Sequence, residues 1–257
     1  MVIANTYSIV ARCERTGALG VAVATAVPGV GALCPFVRVG AGAVATQSWV
    51  NPYLALDALA IMAGGADAET ALAAVLAGDG APEVRQVGVV DVRGGSAAHT
   101  GDACTPWCGH LTAPGLSIQG NMLTGPEVLD AMAAAYHAAD GEDLPGRLMA
   151  ALLAGDAAGG DKRGKQSAAL LVHDGEDYPF VSLRVDEHPE PVAELARVLA
   201  VARLQLLPFV GGLPRRGAPA GPVPDAVKAM LALAPPDRPG GGGSAPKPAL
   251  VAASETA

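Results

Sequence analysis

Apolar residues cluster in several short runs of this chain bounded by turn residues, and recur at helical spacing in others. Thr6-Tyr-Ser-Ile-Val-Ala-Arg12 and Leu19-Gly-Val-Ala-Val-Ala-Thr25 are rich in residues that suit a pleated surface. The turn Cys13-Glu-Arg-Thr-Gly17 between them predicts a β-hairpin, with Gly17 free to take the positive φ of a tight return. Val27–Gly31 breaks the pattern, and Phe36–Val39 and Gly42–Gln47 read as short strands. Asn51-Pro52 then opens a helix with Tyr53, Leu56, Ala60 and Ala63 at helical spacing, ended by Gly64-Gly65. Asp67 is a good N-cap for a second helix, in which Leu72, Val75 and Leu76 share a face.

The cycle repeats. Val84–Val92 and Ser96–Thr100 predict a second hairpin about Gly94-Gly95, followed by a loop from Gly101 to Gly115 and a strand over Leu116–Gly120. Thr124-Gly-Pro-Glu127 has the spacing of a capping box, with Thr124 as N-cap and Pro126 in the first turn. Leu129, Met132 and Tyr136 follow on one face, and a further helix over Pro145–Leu153 is expected to stop at Gly155. Ser167–His173 and Pro179–Val185 are the last strands. Strands, helix pair, strands, helix pair, strands is an order that suits two packed antiparallel sheets with a helical layer outside each, an α+β architecture.

From about Pro189 the pattern changes. Val192, Leu195, Leu199, Ala202 and Leu206 form one helical stripe, closed by Pro208, and Pro224–Ala234 has a short helical pattern with Val227, Met230 and Leu231 on one side. Pro, Gly and small residues dominate 235–257, a composition that buries too little apolar surface to offset its ordering entropy. The expected organisation is therefore a sheet-and-helix domain over 1–188, a helical extension over 189–234 and a disordered tail over 235–257. The apolar arc of the extension is wider than one intramolecular stripe requires, which predicts a homodimer.

Composition narrows the function classes. The chain has 257 residues, 51% of them hydrophobic and 16% charged, with a net charge of −8 and a pI near 5.0. That balance argues against nucleic acid or an anionic membrane as partner. No apolar run reaches the ~18–20 residues of a membrane span, and the start lacks the basic and apolar regions of a signal peptide, so a cytoplasmic protein is expected. Four cysteines are too sparse for a disulfide framework and read as free thiols. Cys104-Thr-Pro-Trp-Cys108-Gly-His110 offers only three loosely spaced ligands, so a loop packed around Trp107 is the better reading and no metal is expected. His99 and His110 lack a nucleophile motif within reach, and no P-loop is present. No cofactor is implied.

Three stretches carry candidate chemistry. Gly159-Gly-Asp-Lys-Arg-Gly-Lys-Gln-Ser167 sets Lys162, Arg163 and Lys165 in a glycine-freed loop of an acidic protein. Arg163 offers a two-pronged match to a substrate carboxylate, with Asp161 to orient it and Gln166 and Ser167 beside it. Against this stands a solvated helix-to-strand turn. Asn121 ends a strand just before a helix, where its amide suits an oxyanion donor or an Asx turn. Gln47, at another strand end, suits substrate contact or strand-end bonding. Thr6 has a hydroxyl at the start of the first strand. As a first residue it would carry an α-amine, titrating near ~7.7–8, able to act as base for its own hydroxyl. Otherwise it is a strand residue of good β propensity.

Thr6–Arg12, Gly17–Val23, Val44-Ala-Thr-Gln47 with Trp49-Val-Asn51, Gln86–Asp91, Gln119–Leu123, Ala157–Ala169 and Arg184–Pro189 together resemble an uncharacterised bacterial family. That family is described as related to the N-terminal nucleophile hydrolases. The resemblance spans roughly residues 6–200 and implies a four-layer αββα sandwich and hydrolysis of a small amide or ureido C–N bond. It implies Thr6 as nucleophile, Asn121 as oxyanion donor, and Gln47, Asp161, Arg163, Gln166 and Ser167 as substrate contacts. Members commonly begin Met-Thr; here Met-Val-Ile-Ala-Asn precedes Thr6, so the mechanism needs a cut after Asn5. The alternative is a non-catalytic protein that binds a small carboxylate on the same scaffold.

Overall fold

In a computed structural model the chain is described over residues 6–218 and 221–246. The expected cut after Asn5 and the last eleven residues of the expected tail, 247–257, fall outside the described residues. Two compact units are distinguished, Met1–Arg197 and Val198–Ala257. The first is built on two antiparallel sheets. The larger has six strands in the order β10-β9-β2-β1-β8-β7. These are β1 (Thr6–Arg12), β2 (Leu19–Thr25), β7 (Gly109–Ala113), β8 (Leu116–Asn121), β9 (Ser167–His173) and β10 (Val181–Val185). The smaller has the order β3-β4-β5-β6, from Pro35–Arg38, Gly42–Ser48, Arg85–Asp91 and Ser96–Thr100.

The expected first hairpin pairs Thr6 with Thr25 and Arg12 with Leu19, and Gly17 takes φ 78°. On its other side β1 pairs with β8, which sets Thr6 opposite Asn121 and Ser8 opposite Gln119. Alternation along each strand then decides what lies between the sheets. Val10, Val21, Val23, Ala43, Ala45, Val90 and Ala169 pack there as an apolar core. On the outer face of the smaller sheet, Val44, Val87 and Val89 meet Leu54, Leu59, Met62 and Leu72 of α1 (Pro52–Ala63) and α2 (Ala68–Ala77). Asn51 and Asp67 cap these helices as expected, accepting from the backbone N–H of Tyr53 and Thr70. α3 (Glu127–Ala138) and α4 (Leu144–Ala157) pack on each other, and α4 covers β1, β2 and β9.

Three expectations are corrected. The helix at Thr124 does not begin with a capping box: its N-cap is Pro126, with no side-chain bond, and the Thr124 hydroxyl donates to Ala158 O instead. Gly155 does not stop α4, which runs on to Ala157. A Cβ at Gly155 would press on Met132 and the Tyr7 ring, so this glycine permits a close approach rather than a break. The stretch expected as loop from Gly101 to Gly115 contains edge strand β7. Its residues are half-buried or exposed, so it lacked the apolar run that marks a strand.

α5 (Pro191–Gln205) buries Val192, Leu195, Leu199 and Ala202 of the stripe read from the sequence. Leu206 lies beyond it and is exposed, and Pro208 falls inside the next short helix instead of closing this one. α6 (Leu207–Val210) and α7 (Asp225–Ala232) belong to the second unit, and Pro235–Asp237 adds one 3-10 turn. No helix among the described residues is long and apolar enough to cross a membrane.

Candidate functional site

The space between the sheets is apolar at one end and polar at the other. At the polar end, inward-facing positions of four neighbouring strands carry Thr6, Ser8, Gln47, Gln86, Gln119 and Asn121, all buried. Burial forces such groups to bond one another. Gln86 Nε2 donates to Gly109 O (3.1 Å), Gly120 O (2.8 Å) and Thr100 Oγ1 (2.9 Å). Its Oε1 accepts from Gln47 Nε2 (2.8 Å) and Asn121 Nδ2 (2.9 Å). Gln47 Nε2 also reaches Thr6 O (3.1 Å), while its Oε1 accepts from Ser8 Oγ (2.6 Å). Gln119 Nε2 donates to the same Ser8 Oγ (2.6 Å), and its Oε1 accepts from Ser117 (2.7 Å). Gly88 faces this layer, and a Cβ there would run into the Gln119 amide.

Thr6 and Asn121 sit where this network meets the sheet end. Thr6 Oγ1 donates to Thr25 Oγ1 at 3.3 Å. Asn121 Oδ1 is buried and has no hydrogen-bond partner. The Gln86 carbonyl oxygen fixes that orientation, because it needs the Asn121 N–H. Two non-glycine residues among those described have positive φ, Ser48 (66°) and Met122 (51°). They directly follow Gln47 and Asn121.

The loop after α4 closes the same end. Asp161 is bridged to Leu123, and its carboxylate accepts from Ala26 N (3.0 Å) and Arg163 N (2.9 Å). Arg163 Nη2 pairs with it at 3.0 Å. The backbone of Gln166 joins the strand end through Thr25 O (2.9 Å). Ser167 Oγ spans Val27 O (2.6 Å) and Val30 N (3.1 Å). The basic cluster is internally balanced: Lys165 pairs with Asp156 (2.9 Å) and Glu190 (2.7 Å), and Lys162 donates to Pro106 O (2.7 Å). On the helix side of β1 a cavity of about 90 Å³ is lined by Tyr7, Thr25, Asp156, Asp161 and Lys165. Burial, and then Asp156, push the Tyr7 phenol well up from its ordinary range.

The seven candidate residues thus gather around one end of β1. Thr6, Asn121, Asp161, Arg163 and Gln166 lie at that end, while Gln47 and Ser167 spend their polar atoms bracing it. Sequence reading assigned no role to Gln86 or Gln119. A glutamine at an inward position of an otherwise apolar strand was the available signal. His99 and His110 are held by Pro82 O (2.8 Å) and Thr100 Oγ1 (2.9 Å). The four cysteines are unbridged, and burial pushes the Cys34 and Cys104 thiols up. No cluster among the described residues could hold a metal ion.

A family model described as a family of unknown function, DUF1028, matches residues 6–195. The chain belongs to the DUF1028 family. A crystal structure of a DUF1028 protein, SPO2555 from Silicibacter pomeroyi, is similar over 83% of this chain and 97% of that one. The two are 32% identical, with a TM-score of 0.75. Anbu, the ancestral β-subunit from Yersinia bercovieri, aligns over 81% of this chain and 98% of its own, at 12% identity and a TM-score of 0.36. That level carries no argument about this DUF1028 member. Among curated proteins none matches.

Proposed function

We propose that this DUF1028 member is an amidohydrolase of the N-terminal nucleophile type, its two sheets and flanking helices forming that class's αββα sandwich. Thr6 becomes the nucleophile when residues 1–5 are removed. The observation that carries the reading is the unpartnered buried Asn121 Oδ1 directly across the ladder from Thr6. In the chain as it stands, the Thr6 nitrogen is a peptide nitrogen. Cleavage after Asn5 would create an α-amine there, supplying new N–H donors beside an unsatisfied acceptor. That amine would serve as base for the Thr6 hydroxyl. The second N–H of Asn121 would face the developing oxyanion. Positive φ at Ser48 and Met122 fits the tendency of backbone strain to gather at working sites. The family match also begins at Thr6.

The proposed substrate is a small acylamino or ureido acid, its carboxylate shared by Arg163 and steadied by Gln166. Asp161 already holds the guanidinium, so this contact orients more than it attracts. A second reading, a non-catalytic protein binding a small carboxylate, is favoured by the burial of Thr6 at 1% exposure in the uncut chain. Intact mass and N-terminal sequencing of the purified protein separate the two. The hydrolase requires a chain beginning at Thr6 and amine release from acylamino or ureido acids, abolished in Thr6→Ala. Retention of residues 1–5 with no turnover would leave only the binding reading.

A further inference from the structure

β1 ends at Arg12, six residues and roughly 20 Å from Thr6 at the rise of an extended strand. A separate cavity of about 320 Å³ opens there, between the end of the first hairpin, the β7–β8 turn and the α3–α4 pair. Arginine from three elements lines it: Arg12 from β1, Arg15 from the turn and Arg147 from α4. Arg147 is nearly buried, with its guanidinium carbon 4.0 Å above the Tyr136 ring and Nη1 3.3 Å from Asp140. Arg15 pairs with the same Asp140 oxygen at 3.3 Å. One carboxylate, itself 72% exposed, therefore serves two arginines.

Arg12 differs from both. Its Nε is buried without a hydrogen-bond partner, and its guanidinium forms no ion pair among the described residues, not even with Glu14 beside it. Nε itself is shut off from the cavity, but the terminal nitrogens are not among the buried atoms and form no hydrogen bond among the described residues, so a ligand oxygen would meet the guanidinium there. The lining sets three guanidinium groups against the carboxylates of Glu14 and Asp140, an excess of one positive charge on a chain of net charge −8.

We propose that this cavity binds a small monocarboxylate, with the carboxylate on the Arg12 fork and the apolar body against Leu116 and Tyr136. A planar guanidinium matches a carboxylate with two parallel bonds. The single surplus charge favours a monoanion, since a dianion would also face Glu14 and Asp140. The volume lies at the low end of the ~300–1,000 Å³ usual for ligand sites, which limits the guest to a small molecule. The site is independent of Thr6 and of any processing there.

The test is an NMR titration of the full ¹⁵N-labelled chain with butyrate, following the backbone amides of Gly115 and Leu116, with succinate, inorganic phosphate and chloride in parallel. Saturable shifts with butyrate, weaker with succinate and phosphate, are expected. Arg12→Gln should weaken butyrate at least tenfold. If Arg12→Gln loses its native spectrum, Arg12→Lys, which keeps the charge without the fork, replaces it with an expected loss of at least threefold. No saturable shift with butyrate, tighter binding of succinate or phosphate, or unchanged affinity in the Arg12 variant would each overturn the proposal.

Discussion

Gln86 spends both ends of its amide inside the protein, on partners from four other strands. Replacing it with leucine would leave two backbone carbonyls and two side-chain donors without their bonds. At about 1–3 kcal/mol for each group left unsatisfied, Gln86→Leu should cost at least about 3 kcal/mol in urea unfolding. Gly88→Ala tests the same layer from the other side. Its new Cβ would collide with the Gln119 amide, which is held on Ser8 and Ser117 and cannot swing away cheaply. Overpacking of this kind costs about 1–3 kcal/mol. A Gly88→Ala protein as stable as the parent would mean that Gln119 is not locked. At the candidate site, Asp161→Ala should destabilise by about 2–3 kcal/mol, because two backbone N–H groups and Arg163 lose a charged acceptor. Heat or urea denaturation reads this directly, whatever the substrate.

Among the elements, the α2-to-β5 connection carries a nearly buried ion pair. Asp79 binds Arg85 Nε at 2.5 Å, and Arg85 Nη1 reaches back to Trp49 O at 2.6 Å. The bond from Arg85 holds the Asp79 carboxyl below its ordinary range. A carboxyl depressed on folding stabilises fully above its unfolded value of about 3.9, and that part is lost as pH falls through the lower folded value. Acid should therefore loosen this connection below about pH 4. Asp79→Asn should flatten the acid limb of a stability–pH profile and lower neutral stability by about 2 kcal/mol. An unchanged acid limb would show that Asp79 contributes nothing to it. Gly155 makes a related point on α4: the helix continues through it because Met132 and Tyr7 need the space a side chain would fill.

For the whole molecule, burial of Val192, Leu195 and Leu199 within the chain takes up much of the arc behind the expected homodimer, which now rests on the apolar side chains left in solvent. Leu204, Leu206 and Phe209, on and just after α5, are 49%, 39% and 39% exposed. Where a second copy covers such surface, a closed two-fold pair is the commonest arrangement. Light scattering at micromolar concentration should report twice the 25.5 kDa chain mass, or twice the trimmed mass if residues 1–5 are lost. Leu206→Glu should return it to the monomer. A monomeric parent would discard the dimer.

Local pattern was enough for most strands, the two helix pairs and the caps at Asn51 and Asp67, because turn glycines and N-cap chemistry act within a few residues. It missed β7, and it put the stripe of α1 on Tyr53 and Leu56, which are exposed, rather than on the buried Leu54, Leu59 and Met62. It nominated as candidates Thr6, Asn121 and the Asp161 loop, whose residue types stand out against an alanine-rich chain. Pairing lay beyond it. Thr6 meets Asn121 only because β1 and β8 are neighbours, a contact across more than a hundred residues of sequence. The polar layer of Gln47, Gln86 and Gln119 arises where two sheets face each other, so no single strand could announce it. The capping box at Thr124 failed for the same reason: a tertiary acceptor, Ala158 O, took the hydroxyl that local spacing had assigned to the helix. Periodicity governs what a segment becomes, while the choice of partner for each polar group depends on which segments folding brings together.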